Sequence, residues 1–169
     1  GTPLYEYAEF PRANIASDIL VTVATSSQRA TTTIPATNFH VGSSFVIAEN
    51  SGSRSITSIT IAENGTVDAS LDLDNIKLYY DLDTSSPYNC GNAVYTGVEP
   101  QFGTTDTNGF SSANGTSTFT GSVTVSTTST MCLYVVLDTT GTALNGETID
   151  IIMENPAMNV TVSPLGSIS

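Results

Sequence analysis

Apolar and polar residues alternate along much of this chain. The segments 19–23 and 76–80 each carry apolar side chains at every second position. Because successive side chains of a β-strand point to opposite faces, this alternation predicts strands with one buried face. The segment 131–138 differs, since its apolar residues occupy adjacent positions. That pattern predicts a central strand that is covered on both faces.

Further apolar segments, separated by turn signals, bring the expected total to about eight or nine strands. The residues Glu-Asn-Gly-Thr at 63–66 follow the alternating segment 56–61 and predict a hairpin turn. The stretch 84–116 has many glycines and predicts a long loop, pinned at Cys90. Together these elements predict an all-β fold, a two-sheet sandwich. The remaining apolar segments are 39–47, 118–125, 149–153 and 158–162.

The composition supports the same fold class. The chain has 27 Thr, 21 Ser and seven Tyr, but one Lys and three Arg, and Thr, Val, Ile and Tyr favour strands over helices. Its 169 residues suit one domain with one core. We expect residues 26–169 to form this single β-sandwich. Residues 1–25, which begin with prolines and aromatic residues, are predicted to form an extended N-terminal arm.

The charge and the motifs exclude several classes of function. A net charge of −12 repels polyanions, so nucleic acid is excluded as a partner. The sequence has no G-x-S-x-G, no HExxH and no phosphate-binding loop. The single histidine, His40, has no second histidine or cysteine near it in the sequence. We therefore predict a protein that is not an enzyme and needs no cofactor.

The cysteines and the sequons point to an extracellular location. Cys90 and Cys132 lack the spacing of a zinc motif, so a disulfide is favoured over two separate buried thiols. Asn64, Asn114 and Asn159 each begin an Asn-X-Thr sequon and are candidate sites of N-linked glycosylation. The sequence has no run of eighteen apolar residues, so it predicts no transmembrane helix. These features predict a secreted glycoprotein at the cell surface.

Two pairs of aspartates are candidate metal ligands. The members of each pair are two residues apart, which points both carboxylates to one side of a strand. Calcium takes oxygen ligands of this kind, although a solvated acidic face is the more common reason for such a pattern. Lys77, the only lysine, is a candidate for an isopeptide bond beside its ordinary role as an outward-facing residue. The candidate calcium ligands are Asp72, Asp74, Asp81 and Asp83.

Four short segments form recognisable turn and strand motifs: a Gly-Thr turn at 65–66, an Asn-Ile-Lys-Leu-Tyr-Tyr strand at 75–80, a Leu-Tyr-Val-Val-Leu-Asp strand at 133–138 and a Gly-Glu-Thr-Ile strand at 146–149. Together these segments resemble the jelly-roll or Ig-like modules of secreted bacterial and archaeal proteins. By architecture the chain is similar to TasA-type matrix fibres and archaeal bundling pilins. This resemblance implies that one subunit donates a strand to the next. Two prolines in residues 1–20 depart from the long apolar N-terminal helix of type IV pilins.

The arm provides the functional hypothesis. If its apolar residues add a strand to a neighbouring copy, head-to-tail repetition builds an extracellular filament, a homopolymer of this chain. The same residues also fit the first strand of the chain's own sandwich. The alternative function is a secreted adhesive or carbohydrate-binding module that uses tyrosines where such modules usually use tryptophan. The candidate donated residues are Ile15, Ile19, Leu20, Val21 and Val23.

Overall fold

The computed structural model describes residues 18–23 and 28–169. This part of the chain is mostly β-strand, which confirms the predicted all-β class. Most of the predicted arm, residues 1–17 and 24–25, lies outside the described residues. The strands are β1 (Ile19–Val23), β2 (Ala36–His40), β3 (Phe45–Glu49), β4 (Ser53–Glu63), β5 (Leu73–Asp83), β6 (Gln101–Asp106), β7 (Thr116–Ser126), β8 (Thr130–Thr139), β9 (Ile151–Ile152) and β10 (Val160–Ser163), and the helices are α1 (Ala69–Asp72) and α2 (Pro156–Asn159).

The strands form two antiparallel sheets. The larger sheet has six strands in the order β1-β3-β8-β5-β6, and β2 pairs with β8 beyond the end of β3. The smaller sheet has four strands in the order β10-β4-β7, and β9 pairs with the end of β4. Apolar side chains from both sheets form one buried cluster, and it includes Ile47 and Leu78 of the larger sheet and Ile59 and Val123 of the smaller one. The finer type, jelly-roll or Ig-like, stays a prediction.

The central strand is β8, as the sequence predicts. All of its residues except Asp138 are buried. Leu133 and Val135 point into the main core, whereas Cys132 and Tyr134 belong to a second cluster. That second cluster lies under residues 84–100, the covering loop, which the disulfide ties to β8. Both faces of β8 are therefore apolar because the main core covers one face and the covering loop covers the other.

The prediction of a hairpin at residues 63–66 is wrong. β4 belongs to the smaller sheet and β5 to the larger one, so the chain crosses between sheets after Glu63. Two contacts direct this crossing. Thr66 and Val67 donate backbone hydrogen bonds to the carbonyl of Thr148, and the Asp68 side chain accepts from the backbone N–H of Ser70 at the start of α1.

The long loop predicted over residues 84–116 contains a strand. β6 pairs with β5, and its Phe102 is 1% exposed. Gly103 has a φ of +74°, and a Cβ there would lie 2.7 Å from the carbonyl oxygen of Thr120 in β7. β6 thus connects the edge of the larger sheet to β7. Phe102 is the only apolar residue of β6 other than glycine, so alternation gives almost no signal there.

Candidate functional site

The first strand pairs within its own chain. β1 runs antiparallel to β3, from Ile19 opposite Glu49 to Val23 opposite Phe45. On the other side of β1, the backbone N–H of Ile19 donates to the carbonyl of Ser167 over 2.9 Å. This is the arrangement expected if the segment is the first strand of its own sheet. Exchange of β1 between copies stays a prediction. Of the candidate donated residues, Ile19, Leu20, Val21 and Val23 lie in β1, and Ile15 lies outside the described residues.

An ion-pair cluster fixes the beginning of β1. Arg54 Nη1 lies 2.9 Å from both carboxylate oxygens of Glu49, and Arg54 Nη2 lies 3.1 Å from Asp18 Oδ2. The Ser51 hydroxyl donates to Asp18 over 2.8 Å. This hydrogen bond, together with the backbone N–H of Ser167, lowers the pKa of Asp18. The cluster therefore holds the ends of β1, β3 and the C-terminal segment together at the start of β4.

An apolar groove opens between the two sheets beside β1. It has a volume of about 400 Å³. Core residues of β8 lie at its base, and the short β9 leaves the opposite sheet incomplete at this side. Because main-core side chains line it, an occupant of the groove would extend the core itself. The apolar lining includes Val21, Phe45, Leu133, Val135, Ile152 and Met153.

Gln28 closes the exposed edge of β9 at the rim of the groove. Its side-chain amide donates to the carbonyl of Ile151 over 3.3 Å and accepts from the N–H of Ile151 over 3.3 Å. The same amide nitrogen donates to Asp150 Oδ1 over 2.8 Å. The side chain therefore occupies backbone groups that an added strand would otherwise use.

Glu63 and Asp150 form a pair of acidic residues behind this rim. Glu63 is 1% exposed, and its Oε1 accepts hydrogen bonds from the N–H groups of Gly65 (2.7 Å) and Asp150 (3.0 Å). Burial, followed by the nearby Asp150 charge, raises the pKa of Glu63, and the two N–H donors oppose this shift. Sequence reasoning missed Glu63, Asp150 and Gln28. A signal existed for Glu63, because it continues the inward series of Ile59 and Ile61 in β4.

The disulfide between Cys90 and Cys132 is confirmed, with their Cα atoms 5.7 Å apart. It pins the covering loop against an aromatic cluster on the outer face of the larger sheet. The Tyr95 ring lies 4.8 Å from His40 and 5.6 Å from Tyr134, between ring centroids. These rings pack on one another, with Tyr134 buried and with His40 and Tyr95 half-buried.

Glu99 shapes the end of the covering loop. Its carboxylate accepts hydrogen bonds from the N–H and the hydroxyl of Thr96, at 2.7 and 2.6 Å, and from the N–H of Gly97 at 2.8 Å. Burial opposes ionisation, but these hydrogen bonds prevail and lower the pKa of Glu99 to about 2. The ionised side chain therefore holds the turn at residues 96–99.

The aspartates predicted as calcium ligands bind protein donors. Asp72 lies in α1 and Asp74 in β5, so this pair does not share one strand. The Thr142 hydroxyl donates to Asp72 over 2.6 Å. Asp81 and Asp83 do share β5, and Asp83 accepts from the backbone N–H of Cys90 over 2.9 Å. Among the described residues, no group of three or more His, Cys, Asp or Glu side chains is placed to hold a metal ion.

Lys77 makes a surface hydrogen bond. Its Nζ lies 2.5 Å from Asn38 Oδ1 in an exposed contact. The neighbouring carboxylate of Asp138 accepts from the backbone N–H of Asn38 over 2.7 Å. The isopeptide hypothesis requires a buried carboxylate beside the lysine, and the exposed contact fits the ordinary role instead.

Asn64 follows the end of β4, Asn114 lies in the turn before β7, and Asn159 is the last residue of α2. Asn64 and Asn114 are exposed, and they are neighbours, because Asn114 Nδ2 donates to the carbonyl of Gly65 over 3.4 Å. Asn159 is half-buried, and its Oδ1 accepts from the N–H of Asn155 over 2.8 Å. Glycosylation at the three positions stays a prediction.

No family model, curated protein or solved structure matches this chain. Its likeness to TasA-type fibres and archaeal bundling pilins therefore rests on the residue patterns alone. Within residues 18–23 and 28–169, no helix has the length and apolar character needed to cross a membrane.

Proposed function

We propose that this protein is a structural subunit of an extracellular filament, assembled by donation of a β-strand from one copy to the next. The observation that carries the proposal is the apolar groove beside β1. Added strands bind through main-chain hydrogen bonds and through pockets that receive alternate side chains. The groove offers such a pocket, and its volume of about 400 Å³ falls in the usual range for binding sites.

The leading segment of residues 1–25 is the proposed donor. β1 forms the last part of this segment and is held against β3 by five residue pairs. A copy that gave up its own β1 would need the same strand from a neighbour, which is exchange of an identical element. The 17 residues before Asp18 can span at most about 60 Å when extended, which is enough to reach another copy.

The disulfide and the absence of a membrane-spanning helix from the described residues are consistent with secretion. The two exposed sequons at Asn64 and Asn114 support a glycosylated surface at one end of the smaller sheet. An acidic surface with a net charge of −12 favours solubility before assembly. These features fit a subunit that is exported and then polymerises.

Two changes to the leading segment test strand donation. Deletion of residues 1–25 should abolish filaments in electron micrographs and leave a monomeric or unstable protein. A milder change is the pair Leu20→Cys and Ala48→Cys, which face each other across β1 and β3, since a disulfide there keeps β1 in its own chain. We expect this locked protein to remain folded and monomeric.

The control lock is Thr60→Cys with Thr118→Cys, a facing pair on β4 and β7 whose hydroxyl oxygens lie 2.9 Å apart. These strands need not separate for β1 to move, so the control should still form filaments. Filaments from the β1-locked protein would show that β1 is not exchanged. Filaments from the deletion variant would refute donation by the leading segment altogether.

A further inference from the structure

One buried carboxylate oxygen in the smaller sheet is unexplained. Glu63 ends β4 with its side chain turned inward, and both N–H donors around it contact Oε1. Its Oε2 is buried and has no hydrogen-bond partner among the described residues. Buried polar atoms are nearly always paired, and an exception often marks the place of a water molecule or an ion.

A second carboxylate lies beside Glu63. Asp150 donates its backbone N–H to Glu63 over 3.0 Å, and its own carboxylate is held by Gln28 over 2.8 Å. Neither acid takes part in an ion pair within the described part of the chain, where the ion pairs belong to Arg54. Asp150 is thus close enough for its charge to act on the buried Glu63, and no ion pair among the described residues balances either acid.

We propose that Glu63 and Asp150 bind a divalent cation, and that Ca²⁺ is the ion whose chemistry fits best. Calcium prefers carboxylate and amide oxygens and accepts irregular coordination. The free Oε2 of Glu63 and the Asp150 carboxylate supply the charged ligands, and Gln28 positions Asp150. This site is different from the aspartate pairs predicted from the sequence, because the carboxylates come from distant segments.

The groove reaches the Asp150 side of the proposed site. Asp150 is half-buried and lines the groove, whereas Glu63 lies behind it. Because the site has only two charged ligands, its affinity should fall near the weak end of calcium sites, about 10⁻⁴–10⁻³ M, as in extracellular modules. The site lies within one copy, so it does not depend on filament assembly.

Thermal unfolding with and without CaCl₂, at neutral pH and constant ionic strength, tests the proposal. At ten times the dissociation constant, we expect the Tm of the natural protein to rise by about 3–6 °C. Glu63→Gln and Asp150→Asn should each lose this rise. The matched control is Glu154→Gln, which removes one exposed carboxylate and should keep it. Calorimetric titration should show one calcium ion per chain, with binding lost in Glu63→Gln.

Gln at position 63 has the shape of Glu and retains an oxygen that accepts from Gly65 and Asp150, so we expect this variant to fold. If it does not fold, Asp150→Asn decides the question, because Asp150 is partly exposed. The proposal is overturned if calcium leaves the Tm of the natural protein unchanged. An equal rise in both site variants would also overturn it, since that result identifies general binding to the acidic surface.

Discussion

Glu99 shows how a single carboxylate fixes the conformation of a loop. Three donors from Thr96 and Gly97 surround it, and Gly97 adopts a φ of +89°, which favours glycine. The neighbouring Val98 is 87% exposed and contributes little to packing. The hydrogen bonds to the ionised carboxylate are therefore the main local interaction that holds this turn.

The pKa of Glu99 predicts how stability changes with pH. Because its pKa falls from 4.5 to about 2 on folding, the unfolded chain binds more protons between these values. The stabilisation is thus complete above the unfolded pKa and is lost as the pH falls towards 2. We expect Glu99→Gln to lower the Tm at pH 7, with a smaller difference from the natural protein near pH 2.5.

The control for this prediction is Glu154→Gln, because Glu154 is exposed and should change the Tm little at either pH. Thermal unfolding followed by circular dichroism measures all three proteins. A difference between the Glu99 variant and the natural protein that stays constant with pH would contradict an ionised, hydrogen-bonded Glu99.

Alternation predicts the burial of single residues accurately inside long strands but poorly at strand ends. Ile76 and Leu78 are fully buried, as predicted, but Val23 is 61% exposed at the end of β1. Glu63, at the end of β4, follows the inward series of Ile59 and Ile61 and is buried although it is charged. Its burial depends on donors from Gly65 and the distant Asp150, and local sequence does not specify that contact.

At the scale of elements, the covering loop completes β8. The outer side of β8 carries Cys132 and Tyr134, which are 0% and 1% exposed. A strand in the middle of a sheet needs cover on both faces when both faces are apolar. The covering loop supplies this cover on the outer face, and the smaller sheet supplies it on the inner face.

Removing the disulfide should loosen the covering loop. Cys90 and Cys132 are 42 residues apart, and the chain-entropy model gives a stabilisation of about 4 kcal/mol for a loop of this length. We expect the double variant Cys90→Ala and Cys132→Ala to lose stability of this order in urea unfolding. Limited proteolysis of the variant should cut first within residues 84–100.

A matched substitution outside the disulfide is Ala93→Ser, which changes a partly buried residue of the same loop and should leave it resistant to protease. If the double cysteine variant resists cleavage as well as the natural protein does, the aromatic cluster alone holds the loop. In that case the disulfide stabilises only through the unfolded chain.

The sequence predicted strands with regular alternation and the disulfide, but it did not predict which segments become neighbours. β8 was identified because its apolar residues are contiguous, whereas β6 was missed because Phe102 is nearly its only apolar residue. The turn signal at residues 63–66 was real, but its consequence depended on hydrogen bonds to Thr148. Such distant contacts decide whether a turn makes a hairpin or a crossing between sheets.

At the scale of the whole molecule, the groove and the paired acids arise from contacts between distant segments. Val21 and Val135 meet in the groove, and Gln28 contacts Asp150 across more than a hundred residues of sequence. Periodicity describes one segment at a time, so neither feature could be predicted from it.

A charge placed in the groove tests whether assembly uses it. Val23 lines the groove and is 61% exposed, so Val23→Asp should leave the monomer folded. In a filament the new carboxylate would be buried against apolar side chains without a partner, which is unfavourable. We expect this variant to remain monomeric in sedimentation experiments under conditions in which the natural protein forms filaments.

Val98→Asp adds the same charge on the covering loop, at a residue that is 87% exposed and does not line the groove. Both variants gain one negative charge, so a difference between them does not come from overall repulsion. Val98→Asp should polymerise normally. Normal filaments from Val23→Asp would exclude the groove as the contact between copies. Loss of filaments in both variants would assign the effect to overall repulsion between acidic subunits, whereas loss in Val23→Asp alone would show that Val23 is buried in the contact between copies, either as a donated residue or as part of the groove.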